Sequence, residues 1–268
     1  MTTLNKNHKN NKNNNFKSPS LSDSVNSRMV TVREHFIKNT DHFEARIAKD
    51  YTSSSVKEAY KILSTNLALS LNKEGCRRVI ITSALPNEGK TTNCFNLGIA
   101  LAQMNSKVLL IDSDLRKPAL YKLFSLSKGP GFSEVLAGGL SSAEAIQTTG
   151  YSNLQVLSAG ETPTNPVELL GSAAMRELIS EASEQYDFVL LDMPPVNLVA
   201  DVLTISELVD GTVLVVREGE TKHPEFQRAL SSLKFAHAKI LGIILNDVNM
   251  NRIYGSQYGY GKYSNYYR

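Results

Sequence analysis

Between Ser55 and Asp247 the chain alternates short, unbroken apolar runs with longer stretches whose apolar residues recur every three or four positions. In "SVKEAYKILSTNLALSL", Val56, Ala59, Tyr60, Leu63, Leu67 and Leu71 fall on one helical face. Ser55 and Glu58 carry the S-x-x-E spacing that predicts a capping box at its start. The runs "RRVIITSA", "KVLLIDSD", "LQVLSAG", "YDFVLLDMPP", "GTVLVVR" and "KILGIILNDV" predict strands. Between them "TNCFNLGIALAQM", "GFSEVLAGG", "AAMRELISEASEQ" and "PEFQRALSSLKFA" predict helices. Strands that are apolar on both sides, separated by amphipathic helices, belong to a parallel sheet covered on both faces. The expected fold class is therefore α/β with a mostly parallel sheet, and ligands gather at the carboxyl ends of its strands.

The two ends of the chain break this pattern. Seven of the first fifteen residues are Asn and serines follow, so residues 1–27 cannot offset their ordering entropy. Scattered hydrophobes (Met29, Val32, Phe36, Ile37, Phe43, Ile47) predict a short helix within 28–50. The expected organisation is a poorly ordered extension over 1–45, one folded domain over 46–250 and a flexible segment over 251–268. No apolar run approaches the ~18–20 residues that span a bilayer, and the N-terminus has no apolar signal core, so a cytoplasmic location is expected.

Composition then removes some chemistries. A net charge of +3 is too thin to expect nucleic-acid binding. Cys76 and Cys94 have no second pair, and His8, His35, His42, His223 and His237 are scattered, so no metal-ligand spacing appears.

The strongest local signal is "SALPNEGKTT", residues 83–92, placed after a strand and before a helix. That setting is the one in which a P-loop wraps phosphates with backbone N–H groups at a helix N-terminus. The first glycine of G-x-x-x-x-G-K-[ST] is replaced by Ala84, so the match reads A-x-x-x-x-G-K-T. The expected nucleotide contacts are Ala84, Leu85, Pro86, Asn87, Glu88, Gly89, Lys90, Thr91 and Thr92, with ATP as nucleotide. Lys90 would reach the β- and γ-phosphates, and the Thr91 hydroxyl would join a Mg2+ shell. An ordinary strand-to-helix turn with an exposed lysine is the bland alternative.

Three carboxylates leave the ends of two other predicted strands: Asp112 and Asp114 in "LLIDSDLRKP", and Asp192 in "FVLLDMPP". A lone carboxylate there is often a helix cap. Three on the P-loop edge supply oxygen ligands for Mg2+ water and a base for an attacking hydroxyl. Lys90, Asp112, Asp114 and Asp192 are the candidate catalytic residues, and Thr91, Asp114 and Asp192 the candidate metal residues. Asp192 is placed at the metal and Asp112 at the substrate proton, although spacing alone does not rank Asp112 against Asp114.

Six of the eleven tyrosines (Tyr254, Tyr258, Tyr260, Tyr263, Tyr266, Tyr267) lie in the last fifteen positions, interleaved with Gly, Ser, Gln and Asn. Their spacing lacks the period of two of an edge strand, and Gly255, Gly259 and Gly261 would let the segment thread into a site. Arg252, Lys262 and Arg268 make it cationic, suited to a carboxylate-lined edge. The six tyrosines are therefore the expected phosphoacceptors.

The ordered set "SALPNEGKTT", "LLIDSDLRKP", "TPTNPVELL", "YDFVLLDMPP" and "ILGIILNDV", followed by a tyrosine cluster, resembles the bacterial tyrosine kinases of capsule and exopolysaccharide synthesis. The likeness covers roughly residues 46–268. It implies a P-loop NTPase-like kinase with ATP and Mg2+ that labels its own terminal tyrosines. It also implies a membrane-embedded polysaccharide co-polymerase as activator, a cognate tyrosine phosphatase, and a position at the inner face of the membrane held through that activator. Met193 stands where the family usually has Thr. Where relatives carry E-x-x-R-x-x-R for contacts in a ring-shaped homo-oligomer, this chain has Glu58, Lys61 and Ser64. That puts a ring in question or makes it depend on other contacts. The rival readings are a Min/Par-type ATPase switch, whose signature lysine would stand at Leu85, and a kinase-dead nucleotide-binding module.

Overall fold

The computed structural model describes the backbone of residues 28–31 and residues 54–71 and 73–248. Eight strands form one sheet in the order β1-β8-β7-β2-β6-β3-β5-β4. The six strands expected from the apolar runs are β2 (Arg77–Ser83), β3 (Val108–Asp112), β5 (Leu154–Leu157), β6 (Phe188–Asp192), β7 (Gly211–Arg217) and β8 (Ile240–Asn246). Every neighbouring pair among them is parallel. Two short strands extend the edges: β1 (Arg28–Thr31) runs parallel to β8, and β4 (Gln147–Thr148) antiparallel to β5.

The strand at 28–31 corrects the first residues of the short helix expected over 28–50, the rest of which lies outside the described residues. Helical spacing of scattered hydrophobes lost to the open edge of β8, whose unpaired backbone groups offer a ready ladder. A second correction is small. Helix α1 (Ser54–Ser70) begins one residue before Ser55, so Ser55 is a helical residue and not the N-cap.

The sheet is buried on both sides, as its continuously apolar strands require. On one face lie α1 and α2 (Lys90–Gln103): Tyr60, Leu63, Leu67, Phe95, Leu97 and Leu101 pack with Val79, Ile81, Leu110 and Leu190. Gly98 allows α2 to sit close on β3, since a Cβ there would meet Leu110 Cδ2 at 2.8 Å. The Tyr60 hydroxyl donates to Asn93 Oδ1 at 3.2 Å, pinning α1 to the first turns of α2. The other face takes α7 (Ala173–Gln185) and α9 (His223–Phe235), whose Met175, Leu178, Ile179, Leu230 and Leu233 cover Ile80, Leu109, Ile111, Val189 and Leu214. Shorter helices fill the connections: α3 (Leu120–Leu123), α4 (Phe132–Leu136), α5 (Ser142–Ala145), α6 (Pro166–Leu170) and α8 (Asp201–Ile205).

On α1, Ser64 turns inward. It is fully buried and its hydroxyl donates to Lys61 O (2.9 Å) and meets Met104 Sδ (3.2 Å). Glu58 and Lys61 stay on the exposed side, 4.0 Å apart, a pair worth little in water. Among the described residues no helix is long and apolar enough to cross a membrane.

Candidate active site

The chain runs from β2 outward to β3 and β5, returns to β6 between β2 and β3, then passes to β7 and β8 on the other side. The connection after β2 therefore sits at the switch point, where the crevice of an open parallel sheet forms. That connection is "ALPNEG". Asn87 (φ 64°) and Gly89 (φ 90°) turn it through left-handed conformations, which Asn tolerates and Gly adopts freely. Gly89 is required twice over, because a Cβ would also collide with Asn246 Nδ2 at the end of β8. No side chain caps the N-terminus of α2, so its first amides are left to bind an anion.

Lys90, the first residue of α2, lies across the carboxyl ends of β3 and β6. Its Nζ is 2.9 Å from Asp114 Oδ2, 3.4 Å from Asp192 Oδ1 and 3.1 Å from Thr91 Oγ1. Asp112 and Asp192 are direct partners in the β3–β6 register, so both point from the same face of the sheet. Ser113 N donates to Asp192 O at 3.0 Å and continues the ladder past the two acids. The sequence-derived quartet Lys90, Asp112, Asp114 and Asp192 is thus brought to one place. Thr91 and Thr92 occupy the first turn of α2 beside it.

The cluster is short of hydrogen bonds. Asp112 Oδ2 accepts from Ala119 N (3.0 Å) and Leu120 N (2.9 Å), but its Oδ1 is buried without a partner. Asp192 Oδ2 is equally orphaned. Burial, then the charge of Asp192, pushes the Asp112 carboxyl up to about 8. Burial also raises Asp192, against the pull of Lys90. Burial opposes the charge on Lys90, yet Asp192 and Asp114 outweigh it and hold the ammonium above its usual value. Asp114 Oδ1 accepts from Lys117 N (3.0 Å), which fixes the carboxylate toward Lys90.

Several supporting contacts escaped the sequence reading. Glu88, expected among the nucleotide contacts, turns its carboxylate back into the loop. Oε2 accepts from Leu85 N (2.8 Å), and Oε1 from the Thr221 hydroxyl. Asn246 Nδ2 donates to Glu88 O at 3.1 Å. The loop is thereby tied to the ends of β7 and β8, which no local spacing announces. Arg116 makes a two-pronged bond to buried Asp201 (Nε–Oδ2 3.2 Å, Nη2–Oδ1 3.1 Å), joining the β3 loop to α8. Its place two residues after Asp114 was the available signal. Met193, the departure after the third acid, is fully buried in the opposite core, so the change does not enter the site. The six terminal tyrosines lie outside the described residues.

The chain is similar to known proteins over most of its described length. The AAA domain family matches residues 86–221. Tyrosine-protein kinase YwqD of Bacillus subtilis (strain 168) is 39% identical over 214 residues, covering 80% of this chain and 90% of that protein. The putative tyrosine-protein kinase CapB of Staphylococcus aureus is 31% identical over 213 residues, 80% of this chain and 93% of that one. The solved kinase domain of Escherichia coli tyrosine kinase ETK superposes with a TM-score of 0.73 at 31% identity, covering 82% of this chain and 89% of that domain. With the P-loop lysine, the three acids and relatives matched over nearly their whole length, this chain belongs to the bacterial tyrosine-protein kinase family.

Proposed function

We propose that the chain transfers the terminal phosphoryl group of ATP to tyrosine hydroxyls, its own six C-terminal tyrosines included, in the control of capsular or exopolysaccharide synthesis. The observation that carries this reading is a half-buried P-loop lysine held by two of three buried acids, two of whose oxygens have no partner.

That donor set suits Mg2+, which prefers carboxylate, hydroxyl and phosphate oxygens and keeps several waters. The Thr91 hydroxyl and Asp192 Oδ2 would hold the ion, with Asp114 supporting its water. When bound, Mg2+ supplies positive charge against the phosphate oxygens. Lys90 and the uncapped amides of α2 bind and orient the β- and γ-phosphates. Asp112, raised to about 8 by burial and Asp192, would be ionised by the positive charge that Mg2+ brings to the cluster, and in that form its free oxygen takes the proton from the tyrosine hydroxyl. Burial of the cluster strengthens each of these interactions by excluding water.

A Min/Par-type switch has less support, because Leu85 stands where those ATPases carry their signature lysine. A membrane-embedded activator, a cognate phosphatase and a position at the inner membrane face are supported by the family resemblance.

The test is incubation of the full chain with Mg-ATP, with and without the activator's cytoplasmic segment, followed by anti-phosphotyrosine detection. Labelling confined to the C-terminal tyrosines is expected. ATP hydrolysis without any phosphotyrosine in either condition would favour the switch.

A further inference from the structure

Strand β8 ends in Asn246, and that side chain props the P-loop from behind. Its Nδ2 donates to Glu88 O at 3.1 Å, and it lies so close to Gly89 that no Cβ would fit there. Asn246 is only 4% exposed, so it goes where its strand goes. Whatever steadies β8 therefore steadies the loop. We infer that the edge strand β1 is a positioning element for the P-loop: paired to β8 it holds Asn246 against the loop, and its release from the sheet lowers nucleotide affinity. The inference rests on nucleotide binding at the P-loop and adds to it a support that lies outside the site.

Three features of β8 point this way. Its ladder to β7 is irregular between Thr212 and Val213, where the partner passes from Ile240 to Gly242 and Leu241 is left unmatched. An extra residue of this kind lets a strand bend, and Gly242 beside it adds backbone freedom. Packing restrains the strand incompletely as well, since Ile243 and Leu245 are half-buried where they meet the core under α9. The register of β1 answers both weaknesses. Arg28 pairs with Gly242, the first residue past the irregularity, and Thr31 pairs with Leu245, the last before Asn246. The added strand thus splints the stretch that joins the bulge to the asparagine.

This splint is also the kind that can come away. It is four residues long and sits at the sheet edge with β8 as its strand neighbour, and short edge elements open at low cost. Residues 32–53 join it to α1. Extended, they could span ~70 Å, against about 14 Å for the three strand spacings from β1 to β2. The covalent chain therefore leaves β1 free to detach. Detachment would bare the backbone groups of β8 and remove the outer ladder from the strand that carries Asn246.

The test is a double-mutant cycle read by nucleotide binding. Neighbouring residues of a strand turn their N–H groups to opposite sides, so Met29→Pro with Val30→Pro removes the donor aimed at β8 whichever of the two it is. The full chain with both prolines is titrated with Mg-ADP by calorimetry, at a temperature where its melting curve shows it folded. Affinity should fall three- to tenfold. Asn246→Ala should lower it at least as far, and the prolines added to Asn246→Ala should weaken binding no further, because the link they act through is already cut. A strand that only stabilised the fold would lower the melting temperature and spare the affinity, or its effect would add to that of Asn246→Ala. Either result overturns the inference. A parent chain that binds no Mg-ADP would overturn the nucleotide reading itself, whereas tight binding that the prolines leave unchanged would overturn this inference alone.

Discussion

Two ion clusters sit at opposite ends of the same sheet and differ in nearly every physical respect. At the amino ends of β2 and β7, Asp210 receives Arg78 N (2.8 Å), Arg78 Nε (3.1 Å), Arg78 Nη2 (2.9 Å) and Lys73 Nζ (2.8 Å). Both oxygens are satisfied, and although burial opposes its charge, the Arg78 and Lys73 hydrogen bonds hold its carboxyl well below the usual range. At the carboxyl ends, Lys90 faces three acids, two oxygens lack partners, and Asp112 and Asp192 are raised. The first cluster is complete without a ligand and staples the sheet. The second is complete only when something else brings charge and hydrogen bonds, as expected of a site built to bind phosphate and metal.

Removing the central cation of each cluster should separate them most clearly. Lys90→Met is expected to lower tyrosine labelling about 10³-fold or more, because a preorganised charge at the transferring group is lost. Its fold should survive, since the acids left behind can protonate. Anti-phosphotyrosine detection and a melting curve on the same sample check both halves, and labelling that persists would refute the assignment of the site.

At the other end the balance reverses. Asp210→Ala should cost about 1–3 kcal/mol of stability, because a paired, partly buried carboxylate is lost and its donors are left unmet. Phosphotyrosine labelling should be retained. Urea denaturation measures the first, and a loss of labelling in a folded variant would show that the two ends are coupled.

The clusters also respond to pH with opposite sign. The folded value of Asp112, about 8, lies above its ordinary 3.8. The stability it contributes is therefore full below about pH 4 and is lost as pH rises through 8. Asp192 acts in the same direction. Asp210 is depressed, so its contribution is present above 3.8 and lost as pH falls below that. Denaturation with EDTA present and no nucleotide, at pH 5 and pH 8, should show lower stability at pH 8. The slope from one group cannot exceed about 1.4 kcal/mol per pH unit. Asp112→Asn should flatten that slope and abolish labelling. A slope unchanged by the substitution would remove Asp112 as its source.

How much of this contrast is written in the chain depends on the range of the interactions. The strands and the lysine with its three acids were legible because strand-end carboxylates and a P-loop are local patterns, and a parallel sheet brings such ends to one edge. The Asp210 staple, the Arg116–Asp201 clamp and the Thr221–Glu88 tie were not, because each joins positions 85 or more residues apart. Strand β1 escaped for another reason. Residues 28–31 pair only with the open edge of β8, and nothing in their own spacing outweighed a helical reading.

Glu88 is the intermediate case, buried like Asp112 yet satisfied like Asp210, and it gives the finest test of the comparison. Burial raises its carboxyl, while the Thr221 hydroxyl and Leu85 N–H hold it back. Thr221→Val keeps the shape and removes one donor, so a buried acceptor loses its partner, at a cost of about 1 kcal/mol. If that tie sets the conformation of the P-loop, the cost should appear in nucleotide binding as a three- to tenfold weaker affinity by titration calorimetry, about 1 kcal/mol again. If the cost appears only in melting temperature, Glu88 belongs with Asp210 as a staple. The line between structure and function would then fall between Glu88 and its neighbour Gly89, not at the end of β2.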